Sequence, residues 1–242
     1  ALHYNSSGTY NTALGAFALE KNTTASNNTA VGNWALGLAT SPTASHNTAI
    51  GWVALYNNQA SYGTALGYEA LRFNTTATNN TALGSQAGKM LSDPGANSNT
   101  AVGNRAIGIG TTGTANTAVG NYALRNNIAN YNVAFGNYAL EQNTSGTDNT
   151  ALGWFASERG TTASYNTAVG KYANFENLTG SYTNSFGWNA NGSNLTGESI
   201  VAIGYNALGI STNSSYTTAV GHRALNKLKP GNFHVAIGHM AL

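Results

Sequence analysis

Apolar and polar positions along this chain recur with a period that no helix produces. A block of Asn-Thr-Ala, an aliphatic residue and Gly, then two variable residues and Ala-Leu, appears as Asn11 to Leu19, Asn28 to Leu36, Asn47 to Leu55 and Asn116 to Leu124. Looser copies run over Gly63 to Leu71, Asn132 to Leu140, Val201 to Leu208 and His234 to Leu242. One glycine anchors each copy, from Gly15 to Gly238, at spacings of 17, 19, 16, 17, 19, 17 and 16 residues and then 17 six times. A helix-pair repeat needs about 30 residues, so a period near 17 predicts one β-coil of two or three short strands joined by turns.

Within the first coil, Thr12 to Leu14 reads as a short strand and Gly15 as a corner or a close backbone approach. Phe17 to Leu19 reads as a second strand, and Lys21 to Asn27, rich in Asn, Thr and Ser, as the return loop. The extra residues of the 19-residue coils, such as Leu91 to Asn97, belong in a loop at a corner. The expected fold is therefore all-β, a parallel β-roll or β-solenoid of about fourteen coils forming a single repeat domain over 1–242. Coils about 4.8 Å apart make a rod on the order of 65 Å long, with like residues in ladders along it. The row Asn11, Asn28, Asn80, Asn116, Asn149 and Asn166 is expected to chain side-chain amides from coil to coil.

Strand alternation puts Thr12 and Leu14 on one face and Ala13 on the other. Alanine also follows the anchoring glycine by three residues in every copy, which predicts a thin roll with closely approaching walls. Little volume is left inside for the aliphatic row Leu14, Val31, Ile50, Leu66, Leu83, Val102, Val119, Phe135, Leu152, Val169, Phe186, Ile203, Val220 and Ile237. An apolar stripe of that length exceeds what soluble monomers expose, so it is expected to face other copies of the chain, as a closed trimer or dimer.

Composition narrows the function further. Only 7% of the 242 residues are charged, and ten Lys and Arg against eight Asp and Glu leave a net charge of +2, scattered singly apart from the Lys227, Lys229 pair. That pattern offers no nucleic-acid groove. The absence of cysteine excludes disulfides and Cys-based zinc sites, and no run approaches the eighteen apolar residues of a membrane span. With no charged leader followed by an apolar run at Ala1, the chain reads as a piece of a longer protein.

The runs Ile200-Val201-Ala202-Ile203-Gly204-Tyr205-Asn206-Ala207-Leu208 and His234-Val235-Ala236-Ile237-Gly238 resemble the head repeats of the YadA-type trimeric autotransporter adhesins. Similar repeats occur in bacteriophage tail fibres and related bacterial trimeric fibre proteins. The resemblance covers essentially the whole chain. It implies a left-handed parallel β-roll, a homotrimer, an extracellular or virion location, and attachment to a cell-surface glycan or protein. The chain departs from the family pattern in preferring Thr (Thr12, Thr29, Thr48) where Val is typical, in its longer coils, and in having no barrel anchor or coiled-coil stalk.

Several residues are candidates for chemistry. Aromatics cluster just after the glycine (Phe17, Trp34, Trp52, Tyr68, Tyr122, Tyr138, Trp154, Phe155, Tyr172, Trp188, Tyr205). Buried, they fill clefts between chains; exposed, Trp34, Trp52, Trp154 and Trp188 are the candidates to stack on sugar rings. His222 and His239 share a repeat position and are the one weak metal candidate, with no carboxylate or cysteine to complete a ligand set. No cofactor is expected, and no catalytic role either, because the carboxylates Asp93, Glu158, Glu176 and Glu198 sit singly in loops. No calcium-binding Gly-Gly-x-Gly-x-Asp run occurs. A regular row of Thr also describes ice-binding solenoids, although this row is interrupted by Val133, Ser185, Val201 and Val235.

Overall fold

The computed structural model describes residues 1–110 and 112–242, and the chain is an all-β parallel β-solenoid with no helix among the described residues. It divides into two compact units, Ala1–Tyr122 and Ala123–Leu242. The first unit holds β1 (Thr12–Leu14), β2 (Thr29–Val31), β3 (Thr48–Ile50), β4 (Thr64–Leu66), β5 (Thr81–Leu83), β6 (Thr100–Val102) and β7 (Thr117–Val119). The second holds β8 (Val133–Phe135), β9 (Thr150–Leu152), β10 (Thr167–Val169), β11 (Thr183–Phe186), β12 (Ile200–Ile203), β13 (Thr218–Val220) and β14 (Val235–Ile237). Each coil contributes one strand, and within each unit consecutive strands pair in parallel, rung on rung: Thr12 with Thr29, Ala13 with Ala30, Leu14 with Val31.

The anchoring glycine is both a corner and a close approach. Gly15 has φ 126°, a conformation that side chains disfavour, and a Cβ there would lie 2.7 Å from the carbonyl oxygen of Gly32. The glycines therefore stack on one another and extend each ladder by one rung, with the Gly32 amide donating to the Leu14 carbonyl at 2.8 Å.

The expected second strand over Phe17 to Leu19 does not form. Phe17 and Leu19 both take left-handed backbone conformations, φ 58° and 49°, on either side of Ala18. That alternation bends the chain into a tight arc, while amides still bond from coil to coil: Trp34 donates to the Ala16 carbonyl and Leu19 to the Ala35 carbonyl, both at 3.0 Å. Left-handed geometry costs an ordinary residue about 1–2 kcal/mol, and Tyr10 (φ 57°) adds a third such residue in the same coil. Bonding between adjacent coils, together with the burial of Leu19, holds these positions.

The core follows from the small residues. Apart from Ala13 and Ala241 in the terminal coils, which are half-buried, the strand alanines and the alanines three after glycine are buried, and with them run buried leucines such as Leu19, Leu36, Leu55 and Leu71. In the second unit this leucine row, Leu124 and Leu140, gives way to Ser157, Asn174 and Asn191 before resuming at Leu208 and Leu225, all of them buried. The inserted polar groups bond along the row: Asn174 donates to Ser157 at 3.3 Å and Asn191 to Asn174 at 2.8 Å.

The amide chain expected of the asparagine row before each strand forms in part, with Asn116 donating to the Asn99 side-chain oxygen at 3.2 Å and Asn149 to that of Asn132 at 3.1 Å, but most bonds of the row run to main chain. The Asn28 amide N–H donates to the Asn11 side-chain oxygen at 2.9 Å, and the Asn28 side chain donates to the Ala44 carbonyl at 2.9 Å. Each side chain thus substitutes for main chain where the return loop leaves the ladder. The same pattern joins Asn132, Asn149 and Asn166. The extra residues of one 19-residue coil protrude as expected: Asp93 to Gly95 are exposed at a corner, with Asp93 capping the Gly95 amide.

Candidate functional site

Within each unit the strands present a chemically uniform face. In the three-residue strands the alanine points inward and the first and third residues outward, so a Thr row and an aliphatic row run side by side. All fourteen residues of the predicted apolar stripe, Leu14 to Ile237, occupy the outward end of their strands. Val31, Val102, Val119, Val169 and Val220 are half-buried and the others exposed, Leu83 to 43% and Phe135 to 55%. Neither row contains a charged residue. Ser185, placed in the Thr row from the sequence, lies instead in the inward alanine row, because Thr167 aligns with Asn184 and Ala168 with Ser185.

Threonines in the loops bind main chain on the next coil; Thr144 and Thr161 donate to the carbonyls of Thr161 and Leu178 at 2.9 and 3.1 Å. Strand threonines such as Thr29, Thr64, Thr81 and Thr150 have no side-chain hydrogen bond among the described residues. Their hydroxyls are left to solvent, at the strand spacing of about 4.8 Å.

Aromatic side chains line both margins of the strands. After the glycine, Phe17 stacks on Trp34 (ring centroids 4.4 Å apart) and Trp52 on Tyr68 (5.1 Å) in the first unit. In the second, Tyr138, Phe155 and Tyr172 form one column, and Trp188, Tyr205, His222 and His239 another. Rings stacked along a column turn their edges outward, so a ring between two neighbours has no free face.

A second aromatic row, not recognised from the sequence, lies before the strands: Tyr10, Tyr62, Tyr131, Tyr165, Tyr182, Tyr216 and Phe233, all exposed. Each stands five residues before its anchoring glycine, a spacing that would have revealed it. His46 stacks on Tyr62 and Tyr165 on Tyr182, each pair at 5.1 Å.

The four candidate tryptophans differ in what covers them. Trp34 has Phe17 on one side and the edge of Tyr56 at 5.7 Å. Trp154 packs on Phe155 and carries the Lys171 ammonium 4.1 Å from its ring centre. Trp188 lies between Tyr205 and the edge of Tyr172. Among the described residues, Tyr68 is the one ring stacked on Trp52. His222 and His239 stack in parallel at 5.0 Å, and no group of three or more His, Asp or Glu residues able to hold a metal occurs among the described residues.

Charges gather on the arc away from the strands. Glu69 bonds Arg72, Lys89 (2.6 Å) and Gln86 (2.8 Å). Burial pushes its carboxyl up, but those bonds and the charges of Lys89 and Arg72 outweigh burial and hold it below the ordinary carboxylate range. Glu158 shows the opposite balance: burial and the nearby Glu141 carboxylate raise it, against smaller opposing effects of Arg159 and Gln142. These groups tie coils together and do not converge on a cavity.

Comparison with family models, with curated proteins and with solved structures finds no match for the chain. No helix among the described residues is long and apolar enough to cross a membrane.

Proposed function

We propose that this chain is a structural and adhesive segment of an extracellular fibre, in which three identical chains bury their aliphatic rows against one another and attach to a cell-surface glycan or protein. The outward aliphatic row carries the reading: it recurs on every strand of both units, on a face without charge. An apolar surface of this kind along either unit marks an interaction site. Because every rung ends in an uncharged apolar residue at the same place, the face can pack against its own kind, and a second copy of the chain is the occupant it fits best. Cyclic closure around an axis covers all copies equally, and the remaining surface gains avidity from repetition. A bacteriophage tail-fibre shaft, the alternative that the repeat resemblance implies, would use the face in the same way.

Light scattering of the full chain in dilute solution tests this directly. Three times the 24.9 kDa chain mass is the expected result. A mass of one chain at all concentrations would reject it.

One observation favours a second reading, an ice-binding solenoid: the strand threonines form an in-register row of unbonded hydroxyls and methyls beside the aliphatic row. That reading requires a monomer whose solutions show thermal hysteresis, lost when Thr64 and Thr81 are changed to Leu.

A further inference from the structure

We infer that Trp52 and Asn33 form a binding step for a neutral hexopyranose. The inference rests on the adhesive part of the proposed function and names a ligand class for it. Tyr68, on the following coil, covers one face of Trp52. The other face therefore points back toward the preceding coil, where the same repeat position holds Asn33, and the Val53 amide bonds the Asn33 carbonyl at 3.0 Å, fixing the two coils in register. Asn33 is short and exposed, so it leaves the outer part of that indole face uncovered, and Trp52 is 45% exposed.

The Asn33 side chain makes no hydrogen bond among the described residues. Other asparagines of this row are engaged: Asn104 donates to the Ser85 carbonyl at 3.4 Å and Asn121 to Asn104 at 3.5 Å. A flat apolar face beside a free amide, one donor group and one acceptor, is the chemistry that holds the C–H face and vicinal hydroxyls of a pyranose. Glu69, which follows Tyr68 in the chain, is buried and ion-paired with Arg72 and Lys89, so its carboxylate is not free for a ligand.

The test is an NMR titration of the ¹⁵N-labelled full chain with methyl glycosides of galactose, glucose, mannose and N-acetylglucosamine, with sialic acid as the charged control. Saturable shifts of the Trp52 indole N–H and the Asn33 side-chain amide with at least one neutral glycoside are expected. Trp52→Ala and Asn33→Ala should each weaken binding by roughly tenfold, while Trp188→Ala leaves it unchanged and Trp52→Phe retains part of it. No saturable shift at Trp52, binding by sialic acid alone, or binding that survives both alanine variants would overturn the proposal. The readout is independent of oligomeric mass, so its failure leaves the self-associating fibre standing, and loss of the trimer leaves the sugar step standing.

Discussion

At the scale of single residues, the least replaceable position is the anchoring glycine. A Cβ on Gly67 would meet the Gly84 carbonyl oxygen at 2.5 Å, backbone that cannot swing aside, at φ 138°. Gly67→Ala is expected to destabilise by about 3 kcal/mol or more, read as a fall in thermal midpoint, whereas a glycine with an ordinary effect would cost only tenths. The two buried glutamates give opposite pH signatures. Because Glu158 is raised in the folded state, folding binds protons there, so its contribution is full below the ordinary carboxylate range and is lost as pH rises through the raised value. Glu158→Gln should therefore stabilise the protein at neutral pH and make no difference in strong acid. Glu69 is held low, so its contribution is present at neutral pH and is lost as pH falls through the lowered value. Glu69→Gln should cost about 1–2 kcal/mol at pH 7, shrinking toward nothing in acid. Parallel pH–stability curves for the two variants would contradict both assignments.

At the scale of the coil, the repeat period, the strand Thr12–Leu14 and the role of Gly15 were legible in the sequence, because a ladder stacks each residue on its own kind and so writes itself as periodicity. The arc over Phe17 to Leu19 was not: apolar alternation suits a strand, and nothing in residue type announces left-handed backbone at Phe17 and Leu19. The site was half legible. The outward aliphatic row followed from alternation, but which tryptophan keeps a free face depends on its neighbours on adjacent coils, which only the stacking reveals. The break in the buried leucine row was equally opaque, since Ser157, Asn174 and Asn191 read as surface residues until their bonds are seen. That polar row yields a prediction at this scale. Asn174→Leu alone strands the Asn191 amide without its acceptor and should destabilise by about 1–3 kcal/mol. Asn174→Leu with Asn191→Leu continues the Leu208, Leu225 row and should recover most of that loss. Equal midpoints for the single and double variants would mean that the bond between the two asparagines carries no weight.

At the scale of the whole molecule, the question is whether the aliphatic row belongs to one chain or to an assembly, and two leucines on different rows separate the cases. Leu71 is fully buried on the arc, and Leu83 points outward from β5 and is 43% exposed. An aspartate at Leu71 has no counter-charge within the core and should abolish cooperative folding, because an unpaired buried charge costs about 3–5 kcal/mol or more. An aspartate at Leu83 sits at the edge of water in a single chain and should leave its folding intact. In an assembly the same charge meets its symmetry mates across the buried row, where desolvation and like-charge repulsion act together. Leu83→Asp is therefore expected to keep its far-ultraviolet circular dichroism and a cooperative thermal transition while its mass falls from three chains to one. Its thermal midpoint should lose the concentration dependence that an associating parent shows. If Leu83→Asp keeps the parent mass, the row is not the interface. If the parent is already a monomer and Leu83→Asp changes only its thermal hysteresis, the row orders water rather than protein.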